Sequence, residues 1–160
     1  MSLKAKMQQR AETEGLPTVT HWLRFHDDEK ARAELAAARQ SEDADRIAAA
    51  RAALAACYEE LTIQALEPDA LEKLLDKHKP TESQEKKGDG VYNPETFPQA
   101  LLAACILDSD ITEEDWAEYL TKGPLSIGEA NSLFNAAWGV NYSYRAPDPW
   151  LPKESTGTPS

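Results

Sequence analysis

The stretch NPETFPQALLAACI, residues 93–106, decides the fold class, because a marked helix start is followed at once by a dense apolar run. Thr96, a proline in the first turn and Gln99 three residues after the threonine match the pattern of a capping box. Asn93 also precedes a proline and offers an earlier start, and the sequence is compatible with both. The run carries no polar group suited to catalysis, so it predicts a helix that serves packing or binding.

Two more helices with clear starts follow. The segment TEEDWAEYL, residues 112–120, opens with a capping threonine and acidic residues, and the Lys-Gly-Pro shortly after it is an order that ends helices. Ser126 and Glu129 match another capping box, which starts a helix that runs to about Asn141. Residues 93–141 are therefore predicted to form a three-helix unit.

The N-terminal half predicts a helical hairpin between two short strands. TVTHWLRF, residues 18–25, is rich in the β-branched and aromatic residues that favour strands. Helix formers begin near Asp28, and a second helix follows the polar joint at 40–43. YEELTIQAL, residues 58–66, fits either the end of that helix or a strand. A strand over 61–66, paired with the first strand, is favoured, because a closed hairpin brings its two flanks together.

The predicted fold class is mainly α, with a helical hairpin flanked by a short two-stranded β pair and then a C-terminal three-helix unit. A further helix opens at Pro68 and carries leucines on one face. The predicted segments are a flexible or weakly helical N-terminal arm (1–17), the hairpin with its strands and following helix (18–78), an exposed linker (79–92), the three-helix unit (93–141) and a Pro-rich irregular tail (142–160).

The composition narrows the class of function. The 160-residue chain has 28 acidic against 17 basic residues and a formal net charge of −11, which disfavours binding to nucleic-acid phosphates. No apolar run approaches the roughly 18 residues of a membrane span, and the first residues lack the apolar core of a signal peptide. We therefore expect a soluble intracellular protein with neither a nucleic-acid nor a membrane partner.

The cysteines carry no evident chemistry. Cys57 and Cys105 lie in apolar helical patterns and are expected to be buried free thiols, with a disulfide as the alternative. Either could form a nucleophile–base pair with His78, but nothing nearby in the sequence activates a thiol. No glycine-rich phosphate loop or hydrolase motif is present. We expect a protein that is not an enzyme and that binds no cofactor.

Two weak metal patterns have simpler explanations. The first is a set of surface histidines and helix-start acids: His21, His26, Asp27 and Asp28. The second begins at Asp108 like a calcium loop, but Glu113 stands where a glycine is required and Tyr119 where the bidentate glutamate is required. No metal site is predicted.

Four large aromatic residues lie in the second and third helices of the predicted three-helix unit: Trp116, Tyr119, Phe134 and Trp138. Core packing explains any one of them, but a unit this small does not readily bury all four. Some are expected to line a groove that accepts a partner helix, so all four are candidate partner-binding residues.

The three C-terminal helices resemble the C-terminal part of tail assembly chaperones of long-tailed siphophages, particularly those that infect actinobacteria. That family carries a TFxxxLLAAC helix, an acidic-capped helix and an LFxAAxxVN helix, which correspond here to residues 96–105, 112–120 and 133–141. The passage at 71–81 is similar to the family's LxxLxxxHxPT, through His78, Pro80 and Thr81. TVTHWLRF and LTIQAL occupy the places of the family's two short strands.

The resemblance implies a non-enzymatic assembly factor in the host cytoplasm. Family members bind and solubilise the long tape measure protein during tail morphogenesis, help to bring the tail tube protein to it, and are absent from the mature virion. A homo-oligomer is compatible with this role, and no catalytic residues are implied. The alternatives are a small head-completion or tail subunit retained in the virion, and a host-directed helical adaptor.

Overall fold

The fold was analysed in a computed structural model that describes residues 1–88, 90–147 and 149. Eight helices and one two-stranded antiparallel sheet are present in this part of the chain, so the predicted mainly α fold class is confirmed. The elements in order are α1 (Leu3–Thr13), β1 (Thr18–Arg24), α2 (Glu29–Ser41), α3 (Ala44–Ala55), β2 (Tyr58–Gln64), α4 (Pro68–Lys77), α5 (Glu82–Lys86), α6 (Phe97–Cys105), α7 (Glu113–Lys122) and α8 (Ile127–Val140).

The two strands pair as the sequence predicts, with a shifted boundary. β1 and β2 are antiparallel, and their register places Val19 opposite Ile63. β2 starts three residues before the predicted 61, so α3 ends at Ala55 instead of continuing towards β2. A short turn at residues 56–57 separates α3 from β2. The carbonyl of Cys57 in this turn accepts the backbone N–H of Phe25 at 2.9 Å, which extends the pairing of the strands.

The main hydrophobic core unites the strands with the C-terminal helices. Leu23 and Ile63, from the inner face of the sheet, pack in one cluster with α6 and α8. The N–H of Leu107 donates to the carbonyl of Thr62 at 2.9 Å, so the chain just after α6 runs along the outer edge of β2. The predicted segments 18–78 and 93–141 therefore share a core.

A second, smaller core lies inside the α2–α3 hairpin. Leu35, Ala38 and Ala50 are its buried residues, and Ile47 and Leu54 pack against them. Two of the three buried side chains are methyl groups, which let the helix backbones approach closely. The hairpin predicted from the alanine-rich sequence is present, with this core apart from the main one.

The predicted N-terminal arm at 1–17 contains a regular helix. The hydroxyl of Ser2 caps α1 by accepting the N–H of Ala5 at 3.1 Å. No residue of α1 is buried. Local capping and helix propensity therefore account for α1 without a contribution from the core.

The segment at 79–92 is mostly exposed, but it contains the short helix α5. Thr81 and Gln84 form a capping box that starts α5, and Gln84 is only 9% exposed. The Gln84 amide donates to Oδ1 of Asn93 at 3.0 Å, and the ring of Tyr92 stacks 4.6 Å from that of Phe97. These polar and aromatic contacts attach two points of the segment to the rest of the fold, and the sequence has no apolar period that would predict them.

The start of α6 also differs from the capping box predicted at Thr96. The Thr96 side chain accepts no capping hydrogen bond. Asn93, the alternative start, closes the turn just before α6: its carbonyl accepts the N–H of Phe97 at 2.9 Å, and its Oδ1 accepts that of Glu95 at 2.9 Å. The backbone of Thr96 is helical (φ −117°, ψ −30°) and not extended as in a capping residue, and its hydroxyl is hydrogen-bonded to a ring nitrogen of His78.

The starts of α7 and α8 follow the sequence more closely. Thr112 and Asp115 form a reciprocal capping box, as the acidic first turn suggests. Ser126 Oγ accepts the N–H of Glu129 at 3.1 Å, but the Glu129 carboxylate lies 3.5 Å from the Arg24 guanidinium. Only the Ser126 half of the capping box is therefore present, because the Glu129 carboxylate pairs with Arg24 and not with the backbone N–H of Ser126.

The predicted tail at 142–160 is described only in part. Residues 143–147 lie outside helices and strands, as expected of an irregular segment. Positions 148 and 150–160 fall outside the described residues.

Candidate partner-binding site

An aromatic cluster forms along one face of α8 and the turn that follows it. Phe134, Trp138 and Tyr142 follow one another at intervals of four residues, so they stack as a stripe. The Trp138 ring centroid lies 6.1 Å from that of Phe134 and 4.8 Å from that of Tyr142. Tyr92 and Phe97 complete this aromatic cluster from the other side, at 5.3 Å and 5.8 Å from Trp138.

The aromatic cluster has a buried base and an exposed edge. Phe97 is completely buried, and Tyr92, Phe134 and Trp138 are half-buried. Tyr142 is 56% exposed. Such a stripe offers large apolar area on side chains held by packing, which suits the apolar face of a partner helix.

The structure does not bring the four predicted contact residues together as one surface. Phe134 and Trp138 belong to the aromatic cluster, whereas Tyr119 stacks 6.2 Å from Phe25, which is itself 44% exposed. Trp116 is only 1% exposed and lies in the main core. Trp116 therefore cannot meet a partner in this conformation, because α7 turns its apolar face towards α6.

Trp116 is also distinguished by its polar atom. Its indole Nε1 is buried and has no hydrogen-bond partner among the described residues. An indole N–H normally finds an acceptor when buried, so this position trades a hydrogen bond for aromatic packing against Tyr119, 6.2 Å away.

Sequence reasoning missed two members of the aromatic cluster, Tyr92 and Tyr142. Tyr142 stands four residues after Trp138, and the helical period would have identified it. Tyr92 carries no local signal, because its partners Phe97 and Trp138 come from other segments. Burial raises the pKa of the Tyr92 hydroxyl.

A polar network lies beneath the aromatic cluster. Nδ1 of His78 and Oγ1 of Thr96 are 2.9 Å apart, and the His78 carbonyl accepts the N–H of Asn93 at 2.7 Å. Asn93 in turn accepts from Gln84. His78 and Thr96 belong to passages that carry the family resemblance, and here they join α4 to the start of α6.

Asn141, at the end of the LFxAAxxVN passage, has a similar structural role. Its Oδ1 accepts the N–H of Leu66 at 2.8 Å, and its Nδ2 donates to the carbonyl of Ala137 at 2.7 Å. The same Nδ2 lies 3.7 Å from the sulfur of Cys105. The side chain thus joins α8 to α6 and to the chain after β2.

The two cysteines are free thiols in different surroundings. Cys105 is buried, as expected, and burial raises the pKa of its thiol. Cys57 is only half-buried, because it lies in the turn between α3 and β2 and not inside a helix. His78, the candidate base, bonds to Thr96, and no hydrogen bond joins it to either thiol.

The residues of the first metal pattern are used locally. Asp28 Oδ2 accepts from the Tyr58 hydroxyl and from Arg32, each at 2.5 Å, and these hydrogen bonds, that from Tyr58 first, lower the pKa of the Asp28 carboxyl. Across residues 1–88, 90–147 and 149, no three His, Cys, Asp or Glu side chains converge as a metal site would require. Within the same ranges, no helix is both long and apolar enough to cross a membrane.

Comparison with protein-family models, curated proteins and solved structures finds no match to this chain.

Proposed function

We propose that this protein is a non-enzymatic tail assembly chaperone of a long-tailed phage, which binds and solubilises the tape measure protein in the host cytoplasm. The observation that carries the proposal is the exposed edge of the aromatic cluster on α8. A tape measure protein is long and helical, and its apolar segments need cover until the tail tube encloses them. An apolar stripe on a rigid base provides such cover.

The dimensions of the stripe support a helical ligand. Phe134 and Tyr142 are eight residues apart, which corresponds to about 12 Å along a helix axis. That length matches about two turns of a partner helix, enough for apolar side chains at three- and four-residue intervals. The net charge of −11 favours solubility of a loaded complex.

The family resemblance supports the proposal in a particular way. His78, Thr96 and Asn141, which lie in the resembling passages, make hydrogen bonds between elements. They have no arrangement suited to catalysis. The residues that resemble the family are therefore ones that hold the fold together, as expected for a family that acts by binding.

The proposal is tested by co-expression with the tape measure protein of the same phage. We expect the wild-type chain to keep that protein in the soluble fraction and to copurify with it. Tyr142→Ala and Trp138→Ala should weaken the complex by about thirtyfold, since truncating a central aromatic contact costs about 2 kcal/mol or more. Tyr144→Ala is the control, because Tyr144 is 81% exposed and lies outside the aromatic cluster.

Thermal melts separate binding from folding in these variants. Trp138 is half-buried, so part of its effect will be on stability. Tyr142 is the cleaner probe because more than half of it is exposed. If both variants bind as well as the wild type, the aromatic cluster is not the site. If mass spectrometry finds the protein in purified virions, a head-completion or tail subunit that is retained in the virion becomes the better hypothesis for its function.

A further inference from the structure

A second apolar surface lies on the α2–α3 hairpin, apart from the aromatic cluster. It is a shallow depression of about 470 Å³ where the hairpin meets the outer face of the sheet. Leu54, Ala55 and the ring of Tyr58 contribute to its lining, and Trp22 borders it with 51% of its surface exposed. An exposed tryptophan beside an open apolar depression is typical of a docking site.

Trp22 is placed there by strand geometry. Side chains alternate between the two faces of a strand, so Leu23, which is 2% exposed, points into the main core and Trp22 points away from it. Its cross-strand neighbour Glu60 does not line the depression. The hairpin therefore meets the sheet on the face that the C-terminal helices leave uncovered.

The rim of the depression is basic, although the protein is acidic. Three of the eight lining residues are arginines, Arg32, Arg39 and Arg51, and none of the eight is acidic. Arg39 and Arg51 form no salt bridge with any described residue. In a chain with a net charge of −11, the two positive charges of Arg39 and Arg51 favour a carboxylate-bearing partner.

One arginine of the rim is held in place. The guanidinium of Arg32 donates to Asp28 at 2.5 Å and to the Tyr58 hydroxyl at 2.8 Å, and Tyr58 also donates to Asp28. This triad joins α2 to β2 and orients the aromatic wall of the depression. A preorganised wall lowers the entropic cost of binding.

From this geometry we infer that the Arg-rimmed depression binds an acidic amphipathic helix of a partner protein. An apolar side chain of that helix enters between Trp22 and Leu54, and its flanking carboxylates pair with Arg39 and Arg51. The depression is open and shallow, which suits a helix laid across it better than an enclosed small molecule. The inference does not depend on the function proposed above, since it rests on a different surface.

Binding is tested with fluorescein-labelled model peptides of about 20 residues, long enough to form helix. One carries a leucine stripe flanked by glutamates, and a matched peptide has lysines in place of the glutamates. Fluorescence anisotropy with the full-length protein should show binding of the glutamate peptide only. Raising the salt concentration should weaken it, because exposed charge pairs are screened.

The decisive variant is Arg39→Glu/Arg51→Glu, with Lys30→Glu/Lys77→Glu as its matched control. Both exchange two exposed cations for anions, but only the first pair lines the depression. We expect the first to weaken glutamate-peptide binding by about tenfold or more and the control to change it by less than about twofold. Trp22→Ser should also weaken binding, and the indole N–H resonance of Trp22 should shift on titration.

Several results would overturn the inference. They are absence of binding, equal binding of the lysine peptide, or equal effects of the two charge-reversal variants. Sedimentation of the free protein provides a further check. A dimer that dissociates on Arg39→Glu/Arg51→Glu would assign the depression to a second copy of this chain instead of a partner helix.

Discussion

The side chain of Asn141 connects α8 to the chain that follows β2. It lies at the C-terminal end of α8, accepts the N–H of Leu66 and donates to the carbonyl of Ala137. The Leu66 N–H is partly buried, so its loss of a partner would not be fully compensated by water. A hydrophobic or short residue at 141 leaves this donor without the carbonyl oxygen that now meets it.

We predict that Asn141→Ala destabilises the protein by about 1–3 kcal/mol, because it leaves the partly buried N–H of Leu66 without an acceptor. Asn131→Ala, on the exposed face of the same helix, is the matched control and should stay within about 0.5 kcal/mol of the wild type. Urea unfolding followed by circular dichroism measures both. Equal midpoints for the two variants would show that Leu66 finds another acceptor.

The helix ends show where side-chain size matters. Gly123 ends α7 with its N–H donating to the Tyr119 carbonyl at 3.0 Å. A Cβ at this position would overlap that carbonyl oxygen and lie 2.8 Å from Cδ2 of Tyr119. A Cβ at Gly139, inside α8, would have no heavy atom within 4 Å apart from the backbone of its own helix. A side chain is therefore hindered at position 123 and sterically allowed at position 139.

We predict opposite effects from one chemical change at these two glycines. Gly123→Ala should lower the free energy of unfolding by about 1–3 kcal/mol, because the α7 terminus must move away from the added methyl group. Gly139→Ala should raise it by up to about 1 kcal/mol, since alanine is the better helix former. Thermal melts of both variants provide the measurement. A destabilised Gly139→Ala would mean that α8 is packed more closely than its geometry indicates.

At the scale of the molecule, the described residues form two cores of unequal size. The main core holds α6 at its centre, where Leu101 and Leu102 are completely buried. The hairpin core has three buried residues, two of them alanines. Free energies of local opening follow the apolar area that an element buries, so the hairpin should open before the rest.

We predict that hydrogen exchange resolves the two cores. Amides of α6 and α8 should exchange only through global unfolding, those of α2 and α3 should exchange faster, and those of α1, which buries no residue, should exchange fastest. Leu35→Ala should speed exchange in the hairpin alone, whereas Leu101→Ala should speed it throughout the chain. Exchange of the hairpin amides at the rate of α6 in the wild type would show that the cores unfold as one.

Much of the fold follows from the sequence because its signals are local. The starts of α4 and α7 and the stop at Gly123 are encoded within a few neighbouring residues. The pairing of the two strands follows from the helical hairpin that lies between them. Helix caps and apolar periods act over one or two turns, so they can be recognised without knowing the rest of the molecule. The presence of Phe134 and Trp138 on one face of α8 follows in the same way.

Tertiary structure decided what those signals do not contain. It joined Thr96 to His78, placed Trp116 inside the core and brought Tyr92, from the mostly exposed segment at 79–92, onto the aromatic cluster. It also assembled the arginine rim from two helices beside a tryptophan of β1. Each of these outcomes depends on contacts between residues far apart in the chain. A local pattern records which face of an element is apolar, but only the packed molecule determines whether that face is covered by its own chain or left for a partner.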